Sequence, residues 1–307
     1  MNEYCSMIEY NFDDYVLFCK NNGKVTIGEV EIELRKDNIV KSLGPSSEFT
    51  LEQTTVWSFP ERGSWATHQS NYRGNWSPFI PRNLILKFTK EGDWVLDQMM
   101  GSGTTLVEAK LLGRNAIGVD INKDAVMLAL DRLNFETKTL FESSTNSIIK
   151  TYQGDARNLD KIDNNSIDLI ATHPPYANII SYSKNEVAKE DLSHLPLKDY
   201  LIEMKKVAEE AYRVLKPGKV CAILIGDTRK NKHYIPLAFR VMESFLDAGF
   251  ILKEDIIKIQ HNMKKTKEIW ARKSNDFYLI AHEHIFIFKK PSEDKERRIY
   301  KFSSKWW

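Results

Sequence analysis

From residue 93 onward, short apolar runs alternate with longer amphipathic stretches. Residues 93–97 carry a strand pattern. Residues 104–112 read as a helix closed by Gly113, 116–120 as a second strand, and a second helix runs on to about Leu133. Residues 135–147 are polar and read as a loop. Residues 149–152 and 167–172 are the third and fourth strands. Residues 199–215 form an amphipathic helix pattern stopped by Lys216-Pro217-Gly218. A fifth strand over 220–225 and a helix over 236–248, stopped by Gly249, follow. The series closes on two successive strands, 251–259 and 278–288, with no helix between them. This order predicts an α/β fold: a mainly parallel seven-stranded sheet covered on both faces, ending in an antiparallel hairpin. Residues 1–55 read as a small mixed α/β appendage joined through Gly44-Pro45-Ser46-Ser47. The expected division is therefore 1–55, a main domain over 56–291, and a tail over 292–307.

Composition narrows the picture. In 307 residues, 42% are hydrophobic, enough for a globular core, and no run reaches the length of a membrane span. The start Met1-Asn2-Glu3 lacks the character of a signal peptide. Cys5, Cys19 and Cys221 are scattered, with no CxxC pair, so neither a disulfide framework nor a zinc site is expected and a reducing cytoplasm is the default. The charge is uneven. Residues 1–55 hold ten acids and five bases, which leaves +7 for the rest of a chain of net +2. Much of that excess lies in the tail after Lys289 and in a stretch containing Lys264, Lys265, Lys267, Trp270, Arg272 and Lys273. Basic charge interleaved with aromatic rings suits a nucleic acid; a solvated loop and a frayed tail are the plainer alternative.

Two loops carry the candidate chemistry. The first, Asp97-Gln98-Met99-Met100-Gly101-Ser102-Gly103-Thr104-Thr105, joins the first strand to the first helix. Its glycines allow a tight turn and close backbone approach at a helix N-terminus. Asp120 ends the next strand, where a carboxylate reaches ribose hydroxyls, although a helix N-cap would also explain it. Asp155 and Ala156 follow the third strand and can border an adenine. The loop lacks the lysine of a triphosphate-binding loop and the third glycine of a dinucleotide fingerprint. A nucleoside without a polyphosphate fits better, with Asp97 free to meet a cationic amine. The second loop, His173-Pro174-Pro175-Tyr176, ends the fourth strand, because neither proline can donate to a sheet ladder. It offers one polar side chain, one carbonyl and one aromatic face at the carboxyl edge of the sheet, where open α/β sheets bind ligands. Taken alone, it is also an ordinary rigid turn.

Together these loops resemble the S-adenosylmethionine-dependent DNA methyltransferases that act on exocyclic amines, the N6-adenine and N4-cytosine enzymes. Residues 97–105 look like their cofactor motif Asp-Pro-Phe-x-Gly-Ser-Gly-Thr-Thr, and residues 173–176 look like their Asp/Asn/Ser-Pro-Pro-aromatic motif. Residues 76–84, including Pro81, sit where the family places the helix beside the methionine part of the cofactor. Residues 282–291 are similar to its closing strand. The likeness covers roughly 60–291. It implies a Rossmann-like class I methyltransferase fold, with S-adenosylmethionine held by Asp97, Met99, Gly101, Ser102, Gly103, Thr104, Asp120, Asp155, Ala156 and Pro81. It implies catalysis by His173, Pro174, Pro175 and Tyr176 on a base flipped out of duplex DNA.

By the same resemblance, the His173 side chain and the Pro174 carbonyl accept the amine hydrogens while Tyr176 stacks on the base. A neutral histidine is needed for this, so activity should fail below about pH 6.5. The competing account is that His173 is merely tolerated. Three departures stand out: Gln98-Met99 for Pro-Phe, His173 for the usual acceptor, and about seventy residues between the motifs, too few for a separate recognition domain. Recognition then falls to 1–55, 177–197 and 260–276. The run Thr172-His173-Pro174-Pro175-Tyr176-Ala177-Asn178 leans toward cytosine N4. A cognate endonuclease or a second subunit is a partner the family allows. RNA methylation and a silent nucleic-acid-binding subunit are the rival readings. Asp227 and Arg229 share the same sheet edge and face either the nucleic acid or the protein's own surface. His282 and His284 share a strand face with no further ligand nearby in sequence, so packing rather than metal is expected.

Overall fold

In a computed structural model, residues 4–36, 38, 40–72, 74–136, 147–176, 191–263 and 276–305 are described. The chain forms β1 (Ile8–Tyr10), α1 (Phe12–Asn21), β2 (Lys24–Ile27), β3 (Val30–Glu33), β4 (Val56–Ser58), α2 (Phe79–Phe88), β5 (Trp94–Asp97), α3 (Thr104–Leu111), β6 (Asn115–Asp120) and α4 (Lys123–Leu133). β7 (Ile149–Gln153), β8 (Ile167–Thr172), α5 (Leu197–Val214), β9 (Leu215–Ile225), β10 (Thr228–Lys230) and β11 (His233–Ile235) follow. The series ends with α6 (Leu237–Asp247), β12 (Ile251–Ile259), β13 (His282–Lys289) and α7 (Asp294–Ile299).

One sheet organises them, in the order β1-β7-β6-β5-β8-β9-β13-β12-β4. The seven expected strands sit side by side. β7, β6, β5, β8 and β9 are parallel, and β13 runs antiparallel between β9 and β12. Two three-residue strands lengthen the sheet at its edges: β1 antiparallel on β7, and β4 parallel on β12. Residues 1–55 do form α/β structure, but β1 belongs to the central sheet. Tyr15, Cys19, Val25, Ile27, Ile32 and Leu34 share a core with α2, α3 and α4.

Strand periodicity explains the two layers. Val95, Leu169, Ala171, Ala222, Leu224, Ile285 and Ile287 face the layer of α2, α3 and α4. Their neighbours Leu96, Ile170, Cys221, Ile223, Phe286 and Phe288 face α5 and α6. Both faces are apolar, so the parallel strands read as continuous hydrophobic runs. α5 buries Tyr200, Met204, Val207, Ala208, Ala211 and Val214, spaced as one helical stripe.

Two local expectations are corrected. Lys216-Pro217-Gly218 does mark the end of α5, but the chain runs straight into β9 through a register shift, with Gly218 at φ +79°. Lys290 Nζ donates to the Tyr212 and Leu215 carbonyls there, placing a cation at the end of α5. The last strand begins at His282 rather than at residue 278. Among the described residues no helix is long and apolar enough to cross a membrane. The three cysteines are free.

Candidate active site

The carboxyl ends of β5, β6, β7 and β8 open onto one cleft of about 890 Å³, its open mouth included. Asp97, Gln98, Met99, Met100, Gly101 and Ser102 line it from the first loop, with Asp120, Ile121 and Asn122 after β6 and Gly154, Asp155 and Ala156 after β7. His173, Pro174 and Pro175 after β8, together with Tyr72, Gly74, Asn75, Trp76, Asp191 and Leu192, complete the wall. Gly103, Thr104 and Pro81 stand behind it. Gly103 caps α3 at φ +78°, the Thr104 hydroxyl donates to Asn75, and Pro81 is buried in α2. The basic residues Lys264, Lys265, Lys267, Trp270, Arg272 and Lys273 lie outside the described residues, as do residues 177–190 of the insert.

Asp97 and Asp120 hold the glycine loop in shape. Asp120 accepts the Gly101 N–H and the Asn122 N–H, both at 2.9 Å. Burial pushes its carboxyl up to about 7, against those hydrogen bonds. Asp97 accepts the Thr105 hydroxyl at 2.5 Å, the Thr172 hydroxyl at 2.8 Å and the Met99 N–H at 3.2 Å. Burial pushes it up to about 6. The Thr172 bond ties the end of β8 to the end of β5, so the two motifs are fastened together one residue before His173. Asp155 is paired to Arg157, which also reaches Glu203 at 2.6 Å. Four carboxyl groups thus border the cleft, and Arg157 neutralises one of them.

Gly101 has φ +49°, and a Cβ there would meet the Tyr72 ring at 2.9 Å. Gly101→Ala is therefore expected to cost about 1–3 kcal/mol of stability through the left-handed backbone alone. Displacement of Tyr72 should weaken ligand binding in the cleft at least tenfold. Thermal melts and cofactor titration of this variant check both effects.

Around His173 the groups are joined in a chain. Its Nε2 lies 3.1 Å from the Tyr176 hydroxyl, which donates to Glu283 Oε1 at 2.8 Å, and Lys258 Nζ donates to Glu283 Oε2 at 2.8 Å. The Trp76 ring stacks on His173 with centroids 6.0 Å apart, and the Tyr176 ring meets it edge-on at 5.6 Å. Burial pushes His173 down to about 4, although Glu283 pulls the other way. With that lowered value, the loss of function expected below pH 6.5 moves toward more acidic pH. Tyr176 stands just beyond the cleft wall, its ring close against Gly226.

Sequence reasoning put Glu61, Arg62, Arg73 and Trp76 beside the cofactor without roles and missed Tyr72, Gly74 and Asn75, which line the cleft together with Trp76. Arg73 lies outside the described residues. Tyr72 and residues 74–76 follow a segment anchored on Glu108, a fully buried carboxylate on α3. It accepts the Trp65 indole N–H at 2.7 Å, the His68 Nε2–H at 2.7 Å and the Arg82 guanidinium at 2.8 Å. The Arg62 guanidinium donates to the Trp76 carbonyl at 2.8 Å. The cluster of aromatic residues between 65 and 76 was the available signal. Asp191, within the insert, had none.

A family model described as DNA methylase, of the N6/N4 type, matches residues 10–131 and 167–307. The chain belongs to this DNA methylase family. The match begins at residue 10, well before the region of resemblance seen in the motifs, in keeping with the place of β1 and α1 in the fold. A model described as RMKL-like methyltransferase domain also matches residues 85–192. The type II methyltransferase M2.DpnII of Streptococcus pneumoniae is 48% identical over 61 residues, 20% of this chain and 23% of that protein. The type II methyltransferase M.HpaI of Haemophilus parainfluenzae is 30% identical over 129 residues, 40% of this chain and 38% of that one. The chain thus spans well under half the length of these two relatives. A solved putative DNA modification methylase from Thermus thermophilus is 24% identical, with a TM-score of 0.34, over 47% of this chain and 56% of that one. At that level the fold has to be read from the strand order of this chain itself.

Proposed function

We propose that this DNA methylase family member transfers a methyl group from S-adenosylmethionine to the exocyclic amine of a base extruded from duplex DNA. The observation that carries the reading is the common cleft: Asp120 and the His173-Pro174-Pro175 turn line the same wall. The residues suit a cationic nucleoside. Ser102 Oγ and Gln98 Oε1 are buried on this wall with no hydrogen-bond partner among the described residues, as expected of groups awaiting a polar ligand. Asp120 would take the ribose hydroxyls, and Asp97 would face the positive charge. Met99 and Ala156 would pack on the adenosine. When bound, S-adenosylmethionine supplies an electrophilic methyl group on a sulfonium.

The remaining work falls to the β8 turn. The lone pair of a ring amine is delocalised and weakly nucleophilic. Accepting its two hydrogens, at the Pro174 carbonyl and at the neutral His173 ring, favours a pyramidal nitrogen. Which ring nitrogen accepts follows from which of the Gly74 carbonyl and the Tyr176 hydroxyl takes the single N–H. Glu283 and Lys258 fix Tyr176, so the aromatic wall of Trp76, His173 and Tyr176 is rigid before the base arrives. Stacking worth about 1–3 kcal/mol per base would offset part of the cost of extrusion. The exposed β10–β11 hairpin, carrying Arg229, Lys230 and Lys232, begins just past the carboxyl end of β9 and supplies positive charge for the phosphate backbone.

Cytosine N4 is the favoured atom, on the Thr172–Asn178 run, and a restriction–modification system or an orphan enzyme is the setting. Transfer of labelled methyl to duplex DNA, followed by nucleoside mass spectrometry, tests this. N4-methylcytosine is expected, and N6-methyladenine would correct the base alone. Labelling of transfer RNA but not DNA would overturn the substrate. No cofactor binding in calorimetry would overturn the methyl-transfer reading and favour the silent subunit.

A further inference from the structure

On the face of β13 opposite to Glu283 lies a second cluster, independent of the methyl-transfer reading. β13 pairs antiparallel with β9, with His284 opposite Ile225. Asp227 lies two residues past the end of β9, and continuing this register puts it beside His282 on the strand face shared by His282 and His284. Each offers a donor atom, and the three lie within 4.8 Å of one another. His284 Nε2 and Asp227 Oδ2 are 3.5 Å apart. Two ligands of a tetrahedral zinc ion, with bonds of about 2.0–2.1 Å, stand about 3.4 Å apart.

Two features distinguish this cluster from a chance meeting of polar side chains. His284 is 4% exposed, and its Nε2 has no hydrogen-bond partner within normal geometry, although it points at Asp227. Its other nitrogen, Nδ1, is held by Asp255 at 2.9 Å. A carboxylate on the far nitrogen fixes the tautomer that presents a lone pair at Nε2 and makes the ring a better ligand. Asp227 is oriented in the same way, by the Ala238 N–H at 2.8 Å on Oδ1 and by the Tyr234 hydroxyl on Oδ2.

We propose that Asp227, His282 and His284 bind one borderline transition-metal cation of the zinc class, through two imidazoles and one carboxylate. Partly exposed His282 provides the way in and leaves a fourth position to solvent. Two imidazoles disfavour magnesium and calcium, which take oxygen ligands. The hairpin β10–β11 starts at Thr228, the residue after Asp227, so the ion fastens the root of that basic hairpin to β13. The competing account leaves His284 as an imidazolium between Asp227 and Asp255, with no metal.

The test uses the full chain after chelation and dialysis, with Co²⁺ as the probe and Zn²⁺ as competitor. One equivalent of Co²⁺ is expected, with the visible absorption of a tetrahedral ion, abolished by one equivalent of Zn²⁺. His282→Ala and His284→Gln should each remove the signal, and Asp255→Asn should weaken binding by about 10–100-fold. His282 is the most exposed of the three, so His282→Ala keeps the test decisive if His284→Gln fails to fold. No stoichiometric binding, or binding unchanged in His282→Ala, would overturn the site and leave His284 to the ion pairs with Asp227 and Asp255.

Discussion

Asp120→Asn is expected to weaken S-adenosylmethionine binding by about 10²–10⁴-fold. Two hydrogen bonds to a charged acceptor, each worth about 1.5–3 kcal/mol, underlie that figure. The wild-type protein should also show a pH signature. Burial raises Asp120 to about 7 and Asp97 to about 6, against ordinary values near 4. Between about pH 4 and pH 7 the folded chain therefore holds protons that the unfolded chain has released, and ligand-free stability falls as pH rises through that window. Ligand hydroxyls and positive charge favour the ionised carboxylates. Affinity should then fall below pH 7, by up to about tenfold per pH unit for each group. The melting-temperature gain from the cofactor should accordingly be larger at pH 8 than at pH 5.5. Titration calorimetry at both values, on the wild type and the variant, checks this. Wild-type affinity indifferent to pH, or a variant that binds like the wild type, would remove Asp120 from the cofactor site.

How much of this was legible depended on the range of the interaction. β12 was legible residue for residue, because a run rich in isoleucine follows the helix-stopping Gly249. β1 and β4 were not: three residues carry no usable period, and their pairing partners lie far away in sequence. The β10–β11 hairpin escaped because its turn is Asn231-Lys232, both at positive φ, where Asn-Gly is the usual marker. The glycine loop and the His-Pro-Pro-Tyr turn were legible as motifs, since each is contiguous. Their surroundings were not. The bond from Tyr176 to Glu283 spans 107 positions, and the stack on His173 reaches back in sequence to Trp76. The same limit hid Asp227 from His282 and His284. In sequence the two histidines stand alone, and only the antiparallel register of β13 on β9 supplies the third ligand. The departure at His173 has a physical counterpart as well. Burial pushes the His173 pKa down to about 4, and that burial is invisible in the motif.

The second large effect concerns His173 itself. With its pKa pushed down to about 4, the ring is neutral throughout the physiological range. At saturating cofactor and DNA, kcat should therefore be flat from pH 5.5 to 8.5, with the loss due to His173 appearing only near pH 4. His173→Ala is expected to lower kcat by about 10²-fold, the lower end of the range for a positioned proton-accepting group, with cofactor affinity changed less than twofold. Tyr176→Phe keeps the ring and removes only the hydroxyl held by Glu283, so it should cost about tenfold. Tyr176→Ala should cost more, by the loss of stacking. This ordering separates positioning from shape: a ring that merely fills space would give near-normal kcat in Tyr176→Phe and His173→Ala alike. A fall in kcat centred on pH 6.5 would mean that water reaches the imidazole in the working complex. In that case the acceptor would resemble an exposed histidine, and the buried chain from Lys258 through Glu283 and Tyr176 would have to open when DNA binds.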